Sequence, residues 1–347
     1  MWMLVHALVL GSLTYGVVAV TTPGLPAPPI VTSLRMRNEA VQRAALTPAP
    51  PPIPSKAQLL RPTGKHFGVS TYQAPWLWPE VQRVARLAGA RPTLIEYFVK
   101  WTEGFRPAAV ATCYGQDALP VLSWEPWAGP DHGLDQPRYA LAAIAAGRFD
   151  PYIIRFAQGI RQQRWPVVLR FAHEMNGPWY PWSEQRSGNR PGDYLRAWRH
   201  IHQLFRRAGA TNVIWLWSPN ILRPVPQVSL AALYPGDQYV DWIGMVGYAV
   251  GEPTAAQVFD PTLAALRQFT RKPVLITETG AQPGPTKAAW TGDLFRWLGR
   301  HPDVIGFIWF ERNKATGGHA DWRFTADLQT LRAFRLGIVH TRLARPP

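Results

Sequence analysis

The chain is nearly without cysteine: Cys113 is the only one in 347 residues. A lone thiol closes no intrachain disulfide, which excludes a disulfide-stapled scaffold. Cys113 falls in an expected helix and reads as a buried structural thiol. Charge is sparse as well, at 17% of residues, and acidic side chains are the scarcer kind: 22 Asp and Glu against 37 Lys and Arg leave a net +15. The basic residues are spread along the chain without a dense run, so no nucleic-acid partner is expected. No Gly-rich phosphate turn follows an early strand, which argues against an open dinucleotide-binding sheet. There is no Gly-x-Ser-x-Gly elbow for a serine nucleophile. The nine histidines form no pair on a plausible ligand face, so neither metal nor cofactor is expected.

Aromatic and apolar residues are plentiful. Hydrophobic residues make up 47% of the chain, and 17 residues are tryptophan. Flat indole faces suit the C–H faces of sugar rings at small cost in conformational entropy, so part of this tryptophan is expected to line a binding surface and the rest to pack the core. Residues 2–22 carry no charged side chain and are long enough to cross a bilayer. They are expected to be a signal peptide or a membrane anchor, giving a secreted protein or one held on the outer face of the cytoplasmic membrane. Residues 23–62 hold prolines 23, 26, 28, 29, 48, 50, 51, 52, 54 and 62 and read as an extended spacer.

From residue 66 the pattern alternates. Short apolar, β-branched runs are expected to be strands at 66–70, 93–99, 119–124, 166–172, 212–218, 241–247, 273–277 and 304–309. Helical segments are expected between them at 79–89, 103–114, 138–164, 192–208, 254–270 and 286–300, with another at 325–335. This alternation predicts an α/β fold, a closed (β/α)8 TIM barrel over residues 63–340; a monomer is expected.

Active sites of such barrels lie at the C-terminal ends of the strands, and here those ends are polar or aromatic. The fourth run passes into His173-Glu174-Met175-Asn176-Gly177 and then Trp179 and Trp182. The seventh stops at Glu278, and the others end in residues such as Trp124, Glu125, Tyr248, Trp309 and Arg312. Two carboxylates at one barrel mouth are the minimum equipment for glycoside hydrolysis.

The segments His173-Glu174-Met175-Asn176-Gly177 with Trp179, and Ile276-Thr277-Glu278-Thr279-Gly280, resemble the signatures of glycoside hydrolase family 26. The resemblance covers roughly residues 66–325. It implies a retaining β-glycanase with Glu174 as acid/base and Glu278 as nucleophile, acting on a β-linked polysaccharide, β-1,4-mannan first. Family members also include β-1,3-1,4-glucanases and β-1,3-xylanases. By the same resemblance Tyr248 supports the nucleophile and Trp309 stacks beneath the sugar beside the cleaved bond. His173, Asn176, Trp179, Trp124, Trp182 and Arg312 are the further expected substrate-binding residues. Two alternatives stay open: an enzyme trimming an exopolysaccharide of its own cell, and a barrel that binds polysaccharide without cleaving it.

Overall fold

The computed structural model describes residues 54–347. The expected signal or anchor at 1–22 and the proline-rich residues 23–53 lie outside the described residues. The strands β1 (His66–Ser70), β2 (Leu94–Lys100), β3 (Leu119–Glu125), β4 (Val167–Phe171), β5 (Val213–Trp217), β6 (Trp242–Ala249), β7 (Val274–Ala281) and β8 (Val304–Phe310) run parallel in chain order, and β8 pairs back onto β1. The result is the closed (β/α)8 barrel. Closure is tight between β1 and β8. A Cβ on Gly306 would lie 2.3 Å from the backbone oxygen of His66, and the residue has φ +150°, so only glycine fits there.

Helices α1 (Lys56–Leu59), α2 (Trp78–Ala88), α3 (Pro107–Tyr114), α4 (Leu141–Ala145), α5 (Asp150–Gln163), α6 (Asp193–Arg207), α7 (Leu230–Leu233), α8 (Ala255–Leu266), α9 (Lys287–Arg300) and α10 (Leu328–Val339) complete the described chain. In α6, Tyr194, Ala197, Trp198, Ile201, Leu204 and Phe205 are buried at helical spacing and seal one face of the barrel. Cys113 is buried in α3.

Two boundaries differ from expectation. The single helix expected at 138–164 is broken into α4 and α5, because Gly147 takes a left-handed φ of +87° and Pro151 opens α5. Residues 54–62, expected within the spacer, are part of the folded unit. Ser55 and Gln58 form a capping box at the start of α1. Lys56 pairs with Asp241 at 2.7 Å, and the Trp242 indole donates to the carbonyl of Leu60 at 3.2 Å.

Candidate active site

Two irregularities in the backbone bring the glutamates to the barrel mouth. After β4, Ala172 (φ +45°) and Glu174 (φ +53°) both take the left-handed conformation, which is costly for non-glycine residues and clusters at functional sites. The Glu174 N–H donates to the carbonyl of Ser218, at the end of β5, at 2.7 Å. In β7 the pairing slips at Thr277: Ile276 faces Met245, whereas Glu278 faces Val246. Such a bulge re-aims side chains. Neighbours that would alternate in a regular strand both reach the barrel interior, Thr277 to the Ser218 hydroxyl at 2.8 Å and Glu278 to Arg170 at 2.7 Å.

Arg170 lies in β4 and is fully buried. Its Nη1 donates to Glu278 Oε1 at 2.7 Å and to Glu96 Oε1 at 2.8 Å, and its Nε donates to Ser218 at 3.0 Å. The Ser123 hydroxyl adds a further bond to Glu96 at 2.8 Å. The other oxygen of Glu278 accepts from the Tyr248 hydroxyl at 2.8 Å. Glu278 is thus held by a buried cation on one oxygen and a phenol on the other. Glu96 leaves Oε2 without a partner. Burial, with the Glu278 charge adding to it against the pull of Arg170, pushes the Glu96 carboxyl up to about 8.

Glu174 differs. The indole N–H of Trp179 donates to its Oε2. This approach is possible because residue 177 is glycine: a Cβ there would lie 2.2 Å from the Trp179 ring. Burial and then the charge of Glu278 push the Glu174 carboxyl up to about 7, although Arg170 and Trp179 pull it down. A carboxyl held up in this way keeps a proton to donate near neutral pH. Glu125, the third carboxyl at the mouth, is also raised to about 7, by burial, and accepts from the Trp127 indole at 3.2 Å.

Glu174 and Glu278 open into one cleft of about 840 Å³, whose aromatic walls include Phe98, Trp127, Trp179, Tyr180, Tyr248 and Trp322. Arg312 also lines the cleft, its guanidinium carbon 5.2 Å from the centre of the Phe98 ring and 5.1 Å from that of Phe310.

Three tryptophans expected to meet sugar do not reach the cleft. Trp124 is fully buried on the outer face of β3, packed 4.6 Å from Phe156 of α5, with its N–H on the Tyr152 hydroxyl. Trp309 is fully buried against Phe334 of α10 and donates to the carbonyl of Trp322 at 2.8 Å. Strand alternation sends both side chains toward the helices. Trp182 is fully buried too. It donates to the carbonyl of His173 at 2.6 Å and stacks behind Tyr180 at 4.3 Å. These residues support the wall, and the rings that line the cleft there are those of Trp322 and Tyr180.

His173 and Asn176 also lie behind the surface. His173 is fully buried, with Nε2 3.2 Å from the Tyr180 hydroxyl, and burial with the nearby Arg170 charge drives its pKa well below the usual range. Asn176 exchanges two hydrogen bonds with the backbone of Asn220, at 2.9 and 2.8 Å, and fixes the loop after β5.

Sequence reasoning missed Glu96 and Arg170. The available signal was a charge inside an apolar run: Leu-Ile-Glu-Tyr-Phe in β2 and Val-Val-Leu-Arg-Phe in β4. Charges are almost never fully buried unless paired. Among the described residues, no group of three or more His, Cys, Asp or Glu is placed to hold a metal ion.

The model of the family "Glycosyl hydrolase family 26" matches residues 145–284. Endoglucanase H of Acetivibrio thermocellus is 32% identical over 273 residues, covering 74% of this chain and 29% of that protein. A mannan endo-1,4-beta-mannosidase of Bacillus subtilis is 28% identical over 147 residues, 40% of this chain and 38% of that protein. The chain thus spans well under half the length of these relatives. The catalytic domain of the GH26 endo-beta-1,4-mannanase of Bacillus sp. JAMB-750 superposes with a TM-score of 0.64 at 17% identity, over 82% of this chain and 88% of that one. At that identity the match speaks for the fold.

Proposed function

We propose that this chain, a protein of the glycosyl hydrolase family 26 type, is a retaining endo-glycosidase that cleaves a β-linked polysaccharide, with β-1,4-mannan as substrate. The observation that carries the reading is the pairing of unlike carboxyls in one aromatic cleft: Glu278 held by Arg170 and Tyr248, Glu174 raised to about 7 by burial and by the charge of Glu278.

In the first step a Glu278 oxygen attacks the anomeric carbon while Glu174 protonates the departing glycosidic oxygen. The sugar is then esterified to Glu278, whose negative charge is gone. The repulsion that helped to raise Glu174 disappears, so its pKa falls. Glu174 can then take a proton from the water that hydrolyses the ester. Arg170 and Tyr248 receive the charge when Glu278 leaves. The rings of Trp127, Trp179, Tyr180 and Trp322 cover the C–H faces of the sugar units.

Mannan is favoured by the mannosidase relatives. A β-glucan is the second reading, because the endoglucanase relative matches 74% of this chain. Export, to the medium or to the outer face of the membrane, rests on the uncharged residues 2–22. The test is product release from glucomannan, galactomannan, lichenan, β-1,3-xylan and carboxymethylcellulose, with Glu278→Ala as control. Reducing ends from the mannans alone support the mannan reading. Release from lichenan alone moves the substrate to β-glucan. A folded protein silent on every polymer overturns both the mannan and the β-glucan reading.

A further inference from the structure

The cleft does not end at the two glutamates. On its β1 side Arg312 lines it and donates from Nη2 to the hydroxyl of Ser70 at 3.2 Å. Ser70 is the last residue of β1, and the turn from there to α2 lies on the same face of the barrel. Within this turn Thr71, Ala74 and Pro75 are buried, whereas Tyr72 and Trp76 are 42% and 48% exposed. The contrast within the molecule is sharp: Trp124, Trp182, Trp198, Trp217, Trp242, Trp297 and Trp309 are fully buried, and Trp76 is the most exposed tryptophan among the described residues. The turn has a defined shape. Gln73 is left-handed at φ +54°, and its carbonyl accepts from the N–H groups of Trp76 at 2.8 Å and Leu77 at 3.0 Å. The rings are therefore carried on an ordered, hydrogen-bonded turn whose buried Ala-Pro pair anchors it to the barrel.

A half-exposed indole leaves a large apolar face in contact with water. The two exposed rings lie on the face where the cleft opens, in the turn that follows Ser70, the residue bonded to Arg312 of the cleft wall. We propose that Tyr72 and Trp76 form an outlying sugar platform, which continues the cleft past Arg312 and binds pyranose units of the same β-linked chain beyond those at the reacting bond. The platform rests on the glycan-cleaving reading of the cleft and adds a preference for long chains.

The experiment uses the full chain in a Glu278→Ala background, so that glycans bind without turnover. Affinity for soluble glucomannan and lichenan is read by affinity electrophoresis, and affinity for the matching tetrasaccharides by calorimetry. Tyr72→Ala with Trp76→Ala is expected to weaken polymer binding about tenfold and tetrasaccharide binding less than twofold. Trp76→Phe, which keeps a ring, is expected to recover most of the polymer affinity. Unchanged polymer binding in the double alanine variant overturns the platform, as does an equal loss for polymer and tetrasaccharide. If the Glu278→Ala parent binds none of these glycans, the glycan reading of the cleft fails and the platform with it. Both side chains are exposed, so the variants are expected to keep the parent's melting temperature, which is checked alongside.

Discussion

Glu174 and Glu278 share one barrel mouth and nearly the same exposure, 7% and 6%, yet their neighbourhoods differ. Around Glu278 the protein supplies charge and donors: Arg170 on one oxygen, Tyr248 on the other. Around Glu174 it supplies burial and two neutral donors, the Trp179 indole and the Asn220 amide. Burial alone would treat the two alike. What separates them is which donors reach each carboxyl: a buried guanidinium and a phenol bond Glu278, whereas no cation bonds Glu174 directly.

The comparison breaks first at the carboxyls themselves. Glu278→Ala is expected to lower kcat by about 10⁴-fold or more on every substrate, with azide restoring turnover and giving a glycosyl azide of inverted anomeric configuration. Glu174→Ala is expected to lose as much on polysaccharide but far less on an aryl glycoside whose leaving group needs no proton. Azide should then give the retained anomer. Product analysis by NMR separates the two variants, and identical behaviour would mean that their roles do not differ.

Arg170→Met removes the cation between two buried carboxyls. The cost of stranding buried charge is about 3–5 kcal/mol, read as a lower urea midpoint at pH 7. Because the Glu96 carboxyl is already pushed up to about 8, the charge stranded at pH 7 is that of Glu278, and adding Glu96→Gln should change the loss little. Tyr248→Phe deletes one hydrogen bond to a charged group, worth about 1.5–3 kcal/mol. A kcat loss of roughly 10- to 100-fold is expected, with the melting temperature lowered by a few degrees.

The smallest effect sharpens the Glu174 side. Because Glu174 must be protonated to act as the acid, activity should fall as pH rises through about 7. Trp179→Phe removes a donor that stabilises the charged form, so the alkaline limb of kcat/KM should move to higher pH. A shift to lower pH would mean that the indole acts on Glu174 in some other way.

The barrel was legible because parallel strands buried on both faces read as short apolar runs, and β1 at His66–Ser70 was bounded correctly from that signal alone. The break between α4 and α5 was harder to see: the left-handed Gly147 that stops the helix looks like any other glycine in a helical stretch. The approach of Glu174 and Glu278 to one cleft was visible as abrupt polar endings of β4 and β7. The facing of the tryptophans was not. Trp309 and Trp322 are both aromatic residues near one strand end, and only alternation, with the chain folding back after β8, puts Trp322 in the cleft and Trp309 against α10. The bulge at Thr277, which turns Glu278 toward Arg170, leaves no mark in the composition of β7.

The central claim, that the donors around Glu278 make it the nucleophile while Glu174 keeps the proton, is tested most directly by covalent trapping. The full chain is incubated with a 2-deoxy-2-fluoro oligosaccharide bearing a dinitrophenolate leaving group, digested and mapped by mass spectrometry. The account predicts one fluoro-glycosyl adduct, on the peptide that contains Glu278. An adduct on Glu174, or steady turnover to an inverted product with no adduct, would contradict it.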